Sequence, residues 1–174
     1  MVDSDSKSLS TNALQVYQTG DFKNAARLFG EAATVFLSQG NQLDAAEMKN
    51  NQSVALLQAG DARGSYDVAH GTAQVFLEGG DFRRQGMAFG NEAAALNALG
   101  RLDEAVVSYR LAADALEKAG EDQLRASSMQ ALAGIQLRKG KYLDALFSMQ
   151  IGLAGLKHPS LKQKILLLLL RFRT

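Results

Sequence analysis

Few side chains in this sequence could perform acid-base, nucleophilic or metal chemistry. It has no cysteine, which removes disulfides, thiolate metal sites and thiol nucleophiles. His70, expected inside a helix, and His158 have no second histidine three or four residues away, so no zinc site of recognisable spacing is present. The carboxylate pairs Asp103–Glu104 and Glu121–Asp122 stand at predicted helix starts. Negative charges there interact favourably with the positive end of the helix dipole, which explains these pairs without catalysis. The sequence therefore predicts a protein that is not an enzyme and that has no cofactor or metal.

The overall composition is that of one globular domain with no strong charge. Of 174 residues, 47% are hydrophobic and 21% charged, and 19 basic against 18 acidic residues leave a net charge of +1. Proteins that bind DNA or RNA need an excess of basic residues to neutralise the phosphate backbone. This sequence has no such excess, so no nucleic-acid partner is expected. The first seven residues contain no apolar signal-peptide core, and the longest apolar run, 165–170, is far below the roughly 20 residues of a membrane span. We therefore expect a cytoplasmic protein.

Glycines at a fixed interval divide the chain into segments. They occur every 20 residues, at 20, 40, 60, 80, 100, 120 and 140. The segments between them are rich in helix-forming residues, and each predicts one helix of roughly 16 or 17 residues, about 25 Å long. A glycine just past a helix tolerates the left-handed conformation that ends it. Short polar residues that can cap the next helix follow four of these glycines: Asp21, Asn41, Asp61 and Asp81.

Alternate segments resemble each other most, so the repeating unit is a 40-residue hairpin of an A helix and a B helix. Five residues after each A-to-B glycine comes a small residue, at 25, 65, 105 and 145, and sixteen after comes a large apolar one, at 36, 76, 116 and 156. This predicts one domain over residues 1–174. Its four hairpins are expected at about 6–39, 41–79, 81–119 and 121–157, with a capping helix at about 160–172 after Pro159.

Residues 100–116, GRLDEAVVSYRLAADAL, resemble the second half of a tetratricopeptide repeat (TPR). The pattern of small residue, glycine, large apolar residue, alanine, aromatic residue and alanine is met at Ala93, Gly100, Leu102, Ala105, Tyr109 and Ala112. The spacing of 40 rather than 34 is similar to the repeats of kinesin light chain and of cell-polarity adaptors. The resemblance implies an all-α, right-handed superhelical α-solenoid of four TPR-like hairpins plus a capping helix. It also implies a noncatalytic scaffold or adaptor that binds a peptide or helix of a partner protein in a concave groove lined by the A helices.

The resemblance assigns the inner face of the A helices to binding. The residues that map there are Asn50, Asn51, Val54, Gln58, Gly90, Asn91, Ala94, Asn97, Gln130 and Arg138. Asn51 and Asn91 lie one period apart, and a carboxamide at such a position offers a donor and an acceptor to a peptide main chain, as the asparagine ladders of this family do. The alternative interpretation is that each bonds the backbone of a neighbouring helix.

Small residues form a stripe on the same face. Gly90 and Ala94 are four residues apart, Gly86 lies one turn earlier, and Gly134 occupies the matching place in the fourth hairpin. A ligand backbone could approach closely along this stripe. Close packing between helices is the other explanation for glycine inside a helix.

The C-terminal segment combines basic and apolar residues. Residues 157–174 contain five basic and no acidic residues, and the run 165–170 would wrap the whole circumference of a helix. The segment could cap the last hairpin, form a homodimer, or attach peripherally to an anionic membrane surface. The last two define the alternative function, a self-assembly or tethering module acting through Leu166, Leu167, Leu169 and Leu170.

Overall fold

A computed structural model describes residues 2–154, 156, 159 and 160, and every regular element in this part of the chain is an α-helix. This confirms the all-α prediction. The helices are α1 (Val2–Gln18), α2 (Phe22–Ser38), α3 (Gln42–Gln58), α4 (Ala62–Ala69), α5 (Thr72–Glu78), α6 (Phe82–Ala98), α7 (Leu102–Lys118), α8 (Asp122–Arg138) and α9 (Tyr142–Ala154).

The glycines end the helices as the spacing predicts. All seven have positive φ, between 71° and 86°, a conformation that costs glycine nothing sterically. At the end of α2, the Gly40 N–H donates to the Leu37 carbonyl at 3.0 Å and the Asn41 N–H donates to the Phe36 carbonyl at 2.9 Å. These two bonds form a Schellman motif, which satisfies the last carbonyls of the helix. Six helices are 17 residues long: α1, α2, α3, α6, α7 and α8.

Side-chain caps start four helices. The carboxylate or carboxamide oxygens of Asp21, Asn41, Asp61 and Asp81 each accept a hydrogen bond from the backbone N–H three residues on, at 2.8 to 3.3 Å. Each bond satisfies one of the free N–H groups of the first turn. Helices α7 and α8 begin after Arg101 and Glu121, which make no such bond.

Two columns of small residues let the A and B helices of a hairpin pack closely. On the B helices, Ala25, Ser65, Ala105 and Ala145 are fully buried, and on the A helices so are Ala13, Ser53, Ala93 and Ala133. The larger side chains Phe36, Phe76 and Leu116 are also buried. Phe36 shares a cluster with Ala45 and Met48 of the next hairpin, and Phe76 shares one with Ala88. The hydrophobic core therefore runs through the stack rather than lying at one centre.

The second B segment is not the single helix that the spacing predicts. Helix α4 ends at Ala69, His70 leaves helical geometry with ψ 128°, and Gly71 adopts φ 83° before α5 begins. His70, expected inside a helix, is thus the exposed residue at a break. The Thr72 hydroxyl stabilises the break, since it lies 2.7 Å from the Ala69 carbonyl oxygen and 3.1 Å from Asn50 Oδ1 and can donate its proton to either.

The A helices lie on the inner side of the curved stack. Helix α3 contacts α6 and α6 contacts α8, whereas among the described residues successive B helices have no comparable contact. Ion pairs connect neighbouring A helices: Arg84 Nη1 lies 2.9 Å from Glu47 Oε2 of α3, and Arg83 Nε lies 2.7 Å from Glu121 Oε1 at the N-cap of α8. Closer spacing on the A side than on the B side makes the A side concave, the curvature expected of a helical-repeat solenoid.

The C-terminal predictions lie outside the described residues. These are the capping helix beyond Ser160 and the self-association leucines Leu166, Leu167, Leu169 and Leu170. Self-assembly and membrane tethering through them therefore stay predictions. Among the helices that the structure describes, none is long and apolar enough to cross a membrane.

Candidate functional site

Three A helices form a continuous surface, here called the inner wall. It consists of exposed or half-buried residues of α3, α6 and α8, most of which have an equivalent on the neighbouring A helix one 40-residue period away. Its members are Asn51, Val54, Gln58, Met87, Gly90, Asn91, Ala94, Asn97, Gln130, Gly134, Leu137 and Arg138.

The carboxamides of Asn51 and Asn91 are available to a ligand. Both side chains are half-buried, and neither makes a hydrogen bond or an ion pair with any other described residue. The alternative interpretation, in which each bonds a neighbouring helix, finds no support in these contacts. Because α3 and α6 touch, the two carboxamides occupy equivalent places on adjacent helices.

Asn50 is a correction to the predicted site. Its side chain is 7% exposed, and its Oδ1 lies 3.1 Å from the Thr72 hydroxyl in the interior of the second hairpin. The equivalent residues one and two periods later, Gly90 and Gln130, are half-buried and exposed, so the contact with Thr72, and not the helix position, distinguishes Asn50. Asn50 therefore stabilises the break between α4 and α5 and does not belong to the inner wall.

Asn97 and Arg138 are brought together across neighbouring A helices. The Arg138 guanidinium donates from Nη2 to the Asn97 Oδ1. The Asn97 acceptor is thus occupied within the protein, while its amide N–H groups make no bond among the described residues. This contact links the C-terminal ends of α6 and α8. Gln58 and Gln130 are exposed, and no partner for either occurs within the described part.

Three glycines of α6 and α8 differ in what surrounds them. A Cβ added at Gly86 would lie 2.5 Å from Leu116 Cγ and 3.1 Å from the Ala112 carbonyl oxygen, so close packing explains this glycine. A Cβ added at Gly90 or Gly134 would meet nothing within 4 Å. Packing therefore does not explain those two, which leave open space over the backbone of α6 and α8.

Apolar side chains and one charge cluster complete the concave side. Met87 is 40% exposed and Leu137 41%. At the start of α6, the Arg84 guanidinium bridges Asp81 and Glu47 at 2.6 and 2.9 Å. The Arg84 backbone N–H, which donates to the Asp81 carboxylate, is the main cause of the lowered pKa of Asp81. One guanidinium and two carboxylates leave this cluster a net charge of −1, while the inner wall itself offers mainly amide and apolar contacts.

The titratable groups do not assemble into a reaction centre within the described part of the chain. No three of its His, Asp or Glu residues form a group that could hold a metal ion. His70 Nδ1 lies 3.2 Å from Glu92 Oε1, and its side chain is 63% exposed. Burial raises the pKa of the Tyr109 phenol, which keeps this group neutral. A nucleophile, a base and an orienting group are not found together in these contacts.

The chain has the TPR-like repeat fold. It is similar to BtubC (BKLC) from P. vanneervenii, with a TM-score of 0.78 and 15% identity over 92% of this chain and 68% of that one. It is also similar to the nearly identical TPR-like repeats of a Podosopora anserina protein described as a kinesin light chain, with a TM-score of 0.74 and 17% identity over 95% and 85% of the two chains. The crystal structure of a single-substitution variant of that protein matches with a TM-score of 0.75 and 17% identity, over 95% of this chain and 84% of that one. No protein-family model and no curated protein matches the sequence.

Proposed function

We propose that this chain is a noncatalytic scaffold that binds an extended peptide segment of a partner protein along its inner wall. The observation that carries the proposal is the pair of Asn51 and Asn91, whose carboxamides stand in register on adjacent A helices and make no bond with the described residues. A carboxamide can donate to a peptide carbonyl and accept from a peptide N–H.

The spacing of the two asparagines suits an extended peptide. Packed helices have axes roughly 8–10 Å apart. An extended chain rises about 3.3 Å per residue, so this distance corresponds to about three residues of peptide. Polyproline II geometry repeats every three residues, and its main chain forms no internal hydrogen bonds. Asn51 and Asn91 could therefore bond equivalent main-chain groups one turn apart.

The surroundings of the asparagines supply the other contacts that peptide binding needs. Val54, Met87 and Leu137 present apolar surface for partner side chains. Open space at Gly90 and Gly134 lets a peptide backbone approach the helices closely. Main-chain bonds give such a site affinity, and the apolar contacts give it selectivity.

The test compares binding and stability in the same variants. We expect Asn51→Ala and Asn91→Ala each to weaken binding about tenfold, which corresponds to about 1.4 kcal/mol, since each removes the hydrogen bonds of one carboxamide. Partners captured from a lysate by the wild-type chain would be identified, and their binding peptides titrated against each variant by calorimetry.

Stability distinguishes binding from a structural role. The melting temperatures of both variants should equal or slightly exceed that of the wild type, because neither carboxamide has a bond to lose and alanine favours the helix. The control is Gln150→Ala, which removes an exposed amide from the B helix α9 and should leave affinity unchanged. Unchanged affinity in the asparagine variants, or a fall in their melting temperatures that accounts for the weaker binding, would contradict the proposal.

A further inference from the structure

A groove lies on the convex side of the last two hairpins, between the B helices α7 and α9 and above the A helix α8. Its volume is about 360 Å³. Its apolar lining includes Met129, Phe147 and Ile151, and its polar lining includes Arg110, Asp114 and Gln136. We call it the outer groove. It is separate from the inner wall, which is formed by the opposite side of the A helices.

Gln136 is the unusual residue of the outer groove. It occupies the position four residues before a helix-ending glycine, where the other such segments carry an apolar residue: Val16, Phe36, Leu56, Phe76, Leu96 and Leu116. The Gln136 side chain is 3% exposed, and its Oε1 is buried without a hydrogen-bond partner. A buried acceptor without a partner destabilises a protein. We therefore expect Gln136 Oε1 to accept a hydrogen bond from a group outside the described residues.

The outward surface of the B helices changes character at the same place. In the first two hairpins the outermost positions carry Lys23, Arg27, Arg63 and Asp67. The equivalent residues of the last hairpin are Leu143, 77% exposed, and Phe147, 65% exposed, and Val107 on α7 is 55% exposed. Exposed apolar residues next to a groove indicate a surface that is covered by another segment.

The charges of the outer groove favour a basic occupant. Asp114 and Asp144 line it, and neither carboxylate forms an ion pair with another described residue. Arg125 also lines the groove, but it lies 3.3 Å from Glu117 and its charge is already balanced. With Arg110 as the other cation and Glu117 counted beside Arg125, the groove and its margin hold two guanidiniums and three carboxylates, an excess of one negative charge.

The chain itself contains a segment of matching chemistry next to the groove. Residues 161–174 carry four basic residues, no acidic residue and the apolar run 165–170. Helix α9 ends at Ala154, one turn after the groove residue Ile151, so the following chain starts at one end of the groove. Fourteen residues in helical form would be about 21 Å long, close to the 13-residue α9 beside which they would lie.

We propose that the outer groove binds residues 161–174 of the same chain. The leucines cover Phe147 and Ile151, basic side chains lie near Asp114 and Asp144, and an N–H group of the segment donates to Gln136 Oε1. The segment then covers the convex side of the last two hairpins and leaves the inner wall open. The inference does not depend on the proposed peptide binding.

Disulfide trapping in the full chain tests this arrangement, because the wild type has no cysteine. Leu143→Cys places a thiol at the rim of the groove, one turn from Phe147. It would be combined in turn with a cysteine at Leu166, Leu167, Leu169 or Leu170, oxidised, and resolved on non-reducing gels. A disulfide needs Cα atoms about 4.4–6.8 Å apart, so only neighbouring positions react efficiently. We expect intramolecular crosslinking in most chains for at least one of the four pairs.

Two matched positions decide between this site and others. Arg63→Cys stands two periods before Leu143 on the same outer surface and should give at most a tenth of the crosslinking. Met149→Cys stands on another side of α9. Its equivalent one period earlier, Tyr109 of α7, packs against Met129 and Leu132 of the next A helix, so Met149 marks the side of α9 that faces the end of the stack. Preferential crosslinking of the leucines to Met149→Cys would place the segment at the end of the stack and overturn the proposal. Crosslinked dimers, or no crosslink to Leu143→Cys, would overturn it as well.

The role of Gln136 is tested in the same assay. Gln136→Leu restores the apolar residue found at this position in the other segments and removes the acceptor. We expect it to lower the crosslinked fraction between Leu143→Cys and the leucine positions several-fold. Gln136→Glu keeps an acceptor and should retain the crosslinking. An unchanged yield in Gln136→Leu would contradict the assignment of Gln136 as the acceptor for the segment.

Discussion

Neighbouring residues of one helix have different roles in this chain when another element contacts only one of them. Asn50 and Asn51 are chemically identical, yet Asn50 is buried against Thr72 and Asn51 is half-buried on the inner wall with its carboxamide unpaired among the described residues. The sequence alone predicted both as binding residues. Only the packing of α5 against α3 distinguishes them, and that contact is not visible in a pattern of residue types.

A buried serine pair explains where the second hairpin departs from the repeat pattern. Ser53 Oγ lies 3.0 Å from Ser65 Oγ, at positions where the other three hairpins have two alanines. Both hydroxyls are fully buried, so each depends on the other or on its own backbone for a hydrogen bond. Ser53 and Ser65 are thus a paired polar substitution for the two alanines of the other hairpins.

The serine pair gives a stability prediction at the residue scale. Ser53→Ala should lower the free energy of unfolding by about 1 kcal/mol, because it leaves the Ser65 hydroxyl without its partner. The double variant Ser53→Ala/Ser65→Ala restores the alanine pair and should be at least as stable as the wild type. Urea unfolding of the four proteins of this cycle measures the coupling. A double variant less stable than Ser53→Ala alone would refute this explanation.

At the scale of single helices, the sequence was most informative about where each helix ends. Each end depends on one glycine that can take positive φ, and this requirement is local. The break at Gly71 was missed because glycines also lie inside helices, for example Gly30 and Gly90. Residue type does not separate these cases. The break is stabilised by Thr72 and Asn50, which are 22 residues apart in the chain.

Two glycines of α6 provide a matched stability test for this helix. Gly90→Ala should raise the free energy of unfolding by about 0.5–1 kcal/mol, since a Cβ meets nothing there and alanine favours the helix. Gly86→Ala should lower it by about 1–3 kcal/mol, because the Cβ would press on Leu116 and on the backbone of α7. Thermal unfolding checks both. Destabilisation by Gly90→Ala would show that packing, and not open space, surrounds this position.

At the scale of the whole molecule, curvature creates two kinds of surface from one repeat. The A helices are close enough for direct contacts between α3, α6 and α8, and they form the inner wall. The B helices are farther apart, and this leaves the outer groove between α7 and α9. The 40-residue period predicted the inner wall, because equivalent residues of a regular stack must line up. The outer groove depends on the distance between α7 and α9, and the 40-residue period of the sequence does not determine that distance.

Mapping a bound partner peptide by methyl NMR tests the central claim, peptide binding along the inner wall, most directly. Val54 and Ala94 provide probes on the inner wall, and Val107 provides one on the convex side. On titration with a peptide from a captured partner, we expect the methyl resonances of Val54 and Ala94 to shift to saturation while that of Val107 stays in place. Saturable shifts at Val107 with unchanged Val54 and Ala94 would contradict the account.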